Sequence, residues 1–434
     1  MKKNLYFCFI LAYFMAVGCG SDETLELSTD RFESVSFERA TYAVTIESDV
    51  TWTATSNQSW CMLSKQTGNS GETITLTVEH NRTGSSREAI VTITGKKRTE
   101  KIQLTQAAFG GDASKYTFNL PVVFQVLYQD KSDALQYVDS NKLNQILEQV
   151  NAMYADASVS TNMNINFVLA ATDPQGRIME HPGINYMQWP DSYPIDCDDF
   201  MHNDSGSYTQ YIWDPNQFIN IVVYNFKEEN RSILGISQLP YCVKGEHELE
   251  GLLGLDFSQV YFSELMFPYC VSINSLYINL LPSSSVDNDD MSITLAHELG
   301  HYLGLLHTFS ETESGDLSDQ CYDSDYCADT PSYNREVYVT WASKLWEAGE
   351  RDFRKLATRI NCFTDETFVG DNIMDYDICY SNRFTPQQRL RTRHVLQYSP
   401  LMPGLQQDSG TTRSVSDTPI DLPIRTVKCR WLNR

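Results

Sequence analysis

Short runs of alternating polar and apolar residues fill the chain from about residue 24 to 108. "YAVTIESDVTWTATS" from Tyr42, "ETITLTVEHN" from Glu72, "EAIVTITGK" from Glu88 and "EKIQLTQAA" from Glu100 set Thr, Val and Ile between turns rich in Gly, Asn and Ser. A period of two turns one face of each strand inward. Several such strands at near-regular spacing predict an all-β, Ig-like sandwich over residues 24–108. "FGGDAS", residues 109–114, reads as a linker.

Beyond it the period lengthens. In "DSNKLNQILEQVNAMYADA", Ser140 is placed as a cap and Leu143, Ile146, Leu147, Val150 and Met153 fall on one face, which predicts a long amphipathic helix. "VDNDDMSITLAHELGHYLG" predicts a second, with Asn288, Asp289 or Asp290 as N-cap and Ile293, Ala296, Leu299 and Leu303 as its buried stripe. The second domain is therefore expected over 115–403. The Ser/Thr/Pro-leaning stretch 404–434 reads as a loose tail.

The second helix carries chemistry. "HELGHYLGLLHTF" (297–309) holds His297, His301 and His307, three of the chain's 8 histidines. Residues four apart share a helix face, so His297 and His301 can meet on one zinc ion. Were the helix to continue, His307 would lie about 9 Å further along the axis, out of reach. Gly304 can take the left-handed conformation that ends a helix and let the chain double back with His307. Three histidines leave the fourth zinc position open for a water, the arrangement of a catalytic site. Glu298 lies beside the metal, where its carboxylate can take that water's proton as general base. A bare H-E-x-x-H is a weak signal and could be polar residues on a core helix; Gly304 and His307 at these offsets make it a strong one.

"NIMDY" adds a methionine, Met374, and a phenol, Tyr376. Together with the histidine motif it resembles the metzincin metalloproteases, in which a methionine-containing turn lies under the zinc; the resemblance implies that Tyr376 reaches the metal or steadies the transition state, where a phenol can donate to the oxyanion of the tetrahedral intermediate. "GLLHTF", the acidic cysteine-containing loop, "ADTPS", "NIMDYDIC" and "RFTPQQRLR" resemble the pappalysin branch. "NLPVVFQVLY", "FINIVVYNF" and "ILGISQLPY" resemble its first strand, edge strand and following loop. The resemblance covers about residues 115–400 and implies an α+β metzincin-type zincin, a zinc endopeptidase acting on peptide or protein substrates. It further implies the disulfides Cys321–Cys362 and Cys327–Cys379, among three connectivities open to those four cysteines. Cys242–Cys270 is a weaker pair. It also implies a basic preference just after the cleaved bond through Asp377, and calcium near the site. The loop Glu311–Asp329 carries Glu311, Glu313, Asp316, Asp319, Asp323, Asp325 and Asp329, which suit that hard cation. In the first domain Trp52, Trp60, "NRTGSSREA" and "QLTQ" resemble the BACON domain; the two tryptophans are core residues or, on the rival reading, a glycan platform.

The chain begins "MKKNLYFCFILAYFMAVGCGSDE". Two lysines, an apolar core too short to span a bilayer and small residues before Cys19 describe a removable signal over 1–18. "AVGC" resembles a bacterial lipobox, so Cys19 is expected to be lipidated, anchoring the protein at the outer membrane or cell surface; the alternative is a secreted or periplasmic protein. The 11 cysteines suit an oxidising compartment. A formal charge of −23, from 33 basic and 56 acidic side chains without a basic stripe, argues against nucleic acid as partner. The rival to an enzyme is a surface module binding glycan or host protein, with the zincin fold as scaffold. Glu298 weighs against it, because a scaffold needs no general base.

Overall fold

The computed structural model describes residues 23–37, 40–58, 60–78, 81, 86–108, 115–278, 290–312, 318, 320–403 and 419–430. The signal segment with Cys19 and the linker 109–114 lie outside the described residues. The chain divides into two compact units, 1–108 and 109–434.

The first unit is all strand: β1 (Leu25–Leu27), β2 (Arg31–Val35), β3 (Ala40–Ser48), β4 (Trp52–Ser56), β5 (Cys61–Leu63), β6 (Thr67–Gly68), β7 (Glu72–Val78), β8 (Arg87–Thr94) and β9 (Thr99–Gln106). They form a four-stranded sheet, β1-β3-β7-β5, and a five-stranded sheet, β2-β9-β8-β4-β6. The alternation read from the sequence appears in the burial: Ile74, Leu76 and Val78 of β7 and Val91 and Ile93 of β8 are fully inside. Trp52 is inside with them, its indole N–H donating to Asn69 O at 2.9 Å. Trp60 is buried under the Arg87 guanidinium, 4.1 Å from the ring centroid. Neither ring offers the open face that a glycan platform needs.

The second unit opens with β10 (Phe118–Tyr128), α1 (Ser140–Ala155), β11 (Ile165–Leu169), β12 (Ile184–Gln188), α2 (Cys197–His202) and β13 (Ile219–Tyr224). Then come β14 (Ile233–Gln238), β15 (Tyr241–Val243), β16 (Leu253–Leu255), β17 (Val271–Asn274) and α3 (Met291–Tyr302). The C-terminal part holds α4 (Arg335–Glu347), α5 (Phe353–Leu356), β18 (Thr358–Ile360), β19 (Thr367–Val369), α6 (Pro386–Tyr398) and β20 (Thr426–Arg430). The main sheet runs β11-β10-β13-β17-β14-β20, with β12 continuing the flank of β10 beyond β11. It is parallel up to β17; β14 and β20 are antiparallel. Its central strands are apolar on both faces, as parallel strands covered on two sides must be.

Both predicted helices are present, with adjusted ends. The cap of α1 is Asp139, which accepts from Asn141 N, one residue before the expected Ser140, and Tyr154 is buried where Met153 is half-buried. Helix α3 is capped by Asp290 and is buried around almost its whole circumference; Ala296, Leu299 and Leu303 of the expected stripe are inside, whereas Ile293 is the one residue of the helix that is only half-buried. Tyr154 of α1 donates to Ala296 O of α3 at 3.0 Å and ties the two together. The tail expected to be loose throughout instead returns to the sheet: Thr426–Arg430 pair with β14, whose edge gives this short segment, led by β-branched Thr426 and Val427, a hydrogen-bonding partner.

Candidate metal centre

Helix α3 ends where the glycine was expected to end it. Gly304 has φ +89°, Gly304 N donates to His301 O at 2.8 Å, and Leu305 N donates to Gly300 O at 2.9 Å, a Schellman closure. The chain then turns back and brings His307 to the two helical histidines. Nε2 of His301 stands 2.9 Å from Nε2 of His297 and 3.2 Å from that of His307.

The opposite ring nitrogens set the tautomers. Nδ1 of His297 donates to Ile373 O, Nδ1 of His301 to Leu305 O, both at 2.8 Å, and Nδ1 of His307 to the Glu311 carboxylate at 2.9 Å. Each Nε2 is then a lone pair aimed at a common point. Three such lone pairs in a buried space repel one another unless a cation lies between them, and the spacing suits zinc at about 2.0–2.1 Å from each nitrogen. Burial, aided by neighbouring His307, holds His297 down at about 3, so the ring stays neutral and able to ligate. Among the described residues this triad is the only metal-competent cluster.

Glu298 follows on the same turn. Its Oε1 accepts from Cys429 N at 3.1 Å, and its Oε2 is buried without a hydrogen-bond partner. An orphaned carboxylate oxygen beside three converging imidazoles fits a metal carrying a water. Burial raises the proton affinity of this carboxyl well above the usual range, in the direction a general base requires.

The turn under the site is built by the segment after β19. Asn372 Oδ1 accepts from Met374 N at 2.9 Å, and a paired amide contact with Gln388 fastens the turn to α6. Met374 is fully buried against Gly300, where a Cβ would stand 2.4 Å from its sulfur. The Tyr376 ring centroid lies 4.4 Å from that of His307 and 5.2 Å from that of His297, and its hydroxyl donates to Lys428 O. The metal ligands, Glu298, Met374 and Tyr376 thus converge.

Other expectations need correction. Asp377 does not present an open acidic wall: both its oxygens are taken by Arg335, at 2.9 and 3.0 Å. Cys321–Cys362 is a disulfide, whereas Cys327 and Cys379 are separate buried thiols. The Cys379 thiol is held in the turn, near Asn372 O and Ser381 N, both at 3.4 Å. Cys242 and Cys270 are also unpaired, the latter facing Met201 sulfur at 3.5 Å. In the acidic loop, Glu313, Asp316 and Asp319 lie outside the described residues. Glu311 is bound to His307, Asp325 to Thr330 and Cys327 N, and Asp329 to Thr385 and Gln387 N. Asp323 lies against Asp325, and among the described residues the only cluster able to hold a metal ion is the histidine triad, so the described carboxylates of the loop form no calcium ligand set.

Two participants carried no sequence signal. Arg359, fully buried, pairs with Asp375 at 3.0 Å and donates to Tyr376 O at 2.8 Å, fixing the backbone that carries the phenol. Gly235 of β14 leaves the room that Glu298 fills.

Residues 270–397 match the peptidase M43 family, described as "Pregnancy-associated plasma protein-A", and residues 50–107 match the BACON family, described as "Putative binding domain, N-terminal". An extracellular metalloprotease of Arthroderma benhamiae is 32% identical over 113 residues, covering 26% of this chain and 34% of that protein. One of Arthroderma otae is 39% identical over 57 residues, 13% of this chain and 19% of that protein. The chain thus spans about a third or less of the length of these relatives. Mature mirolysin of Tannerella forsythia, solved with a cleaved peptide, aligns over 65% of this chain and 92% of its own at 22% identity and a TM-score of 0.43. Within the unit that carries the three histidines, it is residues 270–397 that match the pappalysin (M43) family. Within the strand-rich unit before it, residues 50–107 match the BACON family.

Proposed function

We propose that the protein is a zinc-dependent endopeptidase that hydrolyses peptide bonds of extracellular proteins. The observation that carries the proposal is the convergence of three buried Nε2 atoms, 2.9 and 3.2 Å apart, on the helix that also carries Glu298, whose Oε2 is buried without a partner. His297, His301 and His307 would hold the ion. Bound zinc supplies Lewis acidity, polarising the scissile carbonyl and lowering the pKa of the attacking water.

The remaining steps belong to the chain. Glu298 takes the water's proton and passes it to the leaving amine; burial raises the proton affinity of its carboxylate, which favours the first transfer. Tyr376, kept protonated by burial, donates its hydroxyl hydrogen to the oxyanion of the tetrahedral intermediate. Gly235 and Arg359 position these two groups. With Asp377 neutralised by Arg335, the basic preference after the cleaved bond loses its recognition element and is not carried forward.

Localisation at the outer membrane or cell surface through a lipid on Cys19 rests on the leader sequence; among the described residues no helix is long and apolar enough to cross a membrane. Digestion of casein or gelatin with and without a chelator tests the activity. Chelator-sensitive cleavage is expected, and its absence in the zinc-loaded protein would leave a surface-binding role in its place.

A further inference from the structure

The free edge of β14 beside the histidines is covered by the chain's own C-terminus. Thr426–Arg430 lie antiparallel to Ile233–Gln238, in a register that sets Cys429 opposite Gly235 and Val427 opposite Ser237. Adding a strand to an exposed edge is how extended peptides bind such clefts, main-chain bonds giving the affinity. The register is the informative part. One peptide unit, Lys428–Cys429, is gripped at both ends: Tyr376 donates to its carbonyl and Glu298 accepts from its N–H at 3.1 Å. Those are the two groups assigned above to the carbonyl and the leaving amine of a bond undergoing hydrolysis.

Side chains fasten the same register. Lys428 Nζ reaches the Asp198 carboxylate of α2 at 2.6 Å, and Thr426 Oγ1 lies 3.1 Å from His202 Nε2. Upstream, Leu239 N donates to Arg425 O at 2.9 Å, so the segment follows the edge before it reaches the site. A strand that merely completed a sheet would have no cause to share a peptide group between a buried carboxylate and a buried phenol.

We infer that residues 420–430 are an intramolecular ligand of the substrate groove, docked with the Lys428–Cys429 peptide at the position of the bond to be cut, and that they exclude other peptides while docked. The inference rests on the peptidase reading for what the groove binds. A tethered segment acts at an effective concentration on the order of millimolar, so dissolved peptides at micromolar levels compete poorly with it.

The test uses zinc-loaded protein carrying Glu298→Gln, so that no bond is cut, and a fluorescein-labelled synthetic peptide of the sequence 420–430. Binding is read by anisotropy to the full chain, to a chain ending at residue 418, and to full-length Val427→Pro, which keeps the length but breaks the strand. The shortened chain and the proline variant should bind at least about 10-fold more tightly than the full chain. A peptide with Lys428→Glu should bind a few-fold more weakly than the parent, as expected for a half-exposed ion pair. Should either altered protein fail to fold, shown by its near-ultraviolet dichroism, the other decides. Equal affinity for the full chain and a folded altered chain would overturn the inference, as would no binding by a folded shortened chain that digests casein when its Glu298 is restored. If that restored chain cuts nothing while the binding contrast holds, the peptidase reading falls and the docking stands.

Discussion

Gly235 lies flat against Glu298: a Cβ on this glycine would stand 2.6 Å from Glu298 Cγ and 2.7 Å from Oε1. Strand β14 has no side chain there because the carboxylate occupies its place. Gly235→Ala should push Glu298 off its position while leaving the histidines alone. A displacement of about 1 Å can cost on the order of 100-fold in rate. We expect kcat to fall by that order with zinc content and KM near those of the parent. An unchanged kcat would show that Glu298 has room to spare.

That contact also marks how far the sequence could be read. The metal ligands, the left-handed Gly304 and the methionine turn were legible because each depends on local spacing: i to i+4 on a helix, one breaker, one compact turn. The sandwich was legible from its period of two. Gly235 was not, since its need for an absent side chain arises from an element about sixty residues away in the chain. Arg359 was not, because a lone arginine in "TRINC" reads as surface until its carboxylate partner is placed. The tail misled for another reason. Two β-branched residues, Thr426 and Val427, carry little weight after a polar stretch, and only the open edge of β14 gives the segment a partner.

Arg359 supplies a second prediction. It has no solvent exposure, its partner Asp375 is 2% exposed at 3.0 Å, and it donates to Ala357 O, Ile378 O and Tyr376 O. Arg359→Met removes the cation but leaves the carboxylate buried, which costs about 3–5 kcal/mol. The double variant Arg359→Met, Asp375→Leu should lose less than the two single losses added together. Denaturant melts of all four proteins measure this coupling; simple additivity would mean that the pair is not a unit.

A third concerns pH. Burial pushes the Asp325 carboxyl up to about 8; Thr330 pulls against the shift and Asp323 adds to it. In the unfolded chain the group titrates near about 3.9. A raised folded-state pKa means that this group's contribution to stability is complete below the unfolded value and is lost as pH rises through about 8. Asp325→Asn has no such proton to lose. The Tm of the variant relative to the parent should therefore rise steadily between mildly acid and mildly alkaline pH. Parallel Tm profiles would show that Asp325 is not held protonated.

The last prediction isolates the helix stop as the cause of the third ligand. Gly304 and Gly349 share the same backbone conformation, φ +89° and +91°, but their surroundings differ. A Cβ at Gly304 would meet Val395 Cγ2 at 2.6 Å, while at Gly349 nothing lies within 4 Å. Alanine at either position carries the left-handed strain of about 1–2 kcal/mol. Only at Gly304 does it also force the turn that delivers His307 to move. Gly304→Ala should therefore weaken zinc binding towards the level of His307→Ala, whereas Gly349→Ala should lower Tm alone and Glu298→Gln should keep the metal but lose turnover. Zinc affinity from competition with a chromogenic chelator separates the four proteins. If Gly304→Ala folded and bound zinc like the parent, the glycine would be a packing residue, and the return of His307 would have to be credited to the loop beyond it.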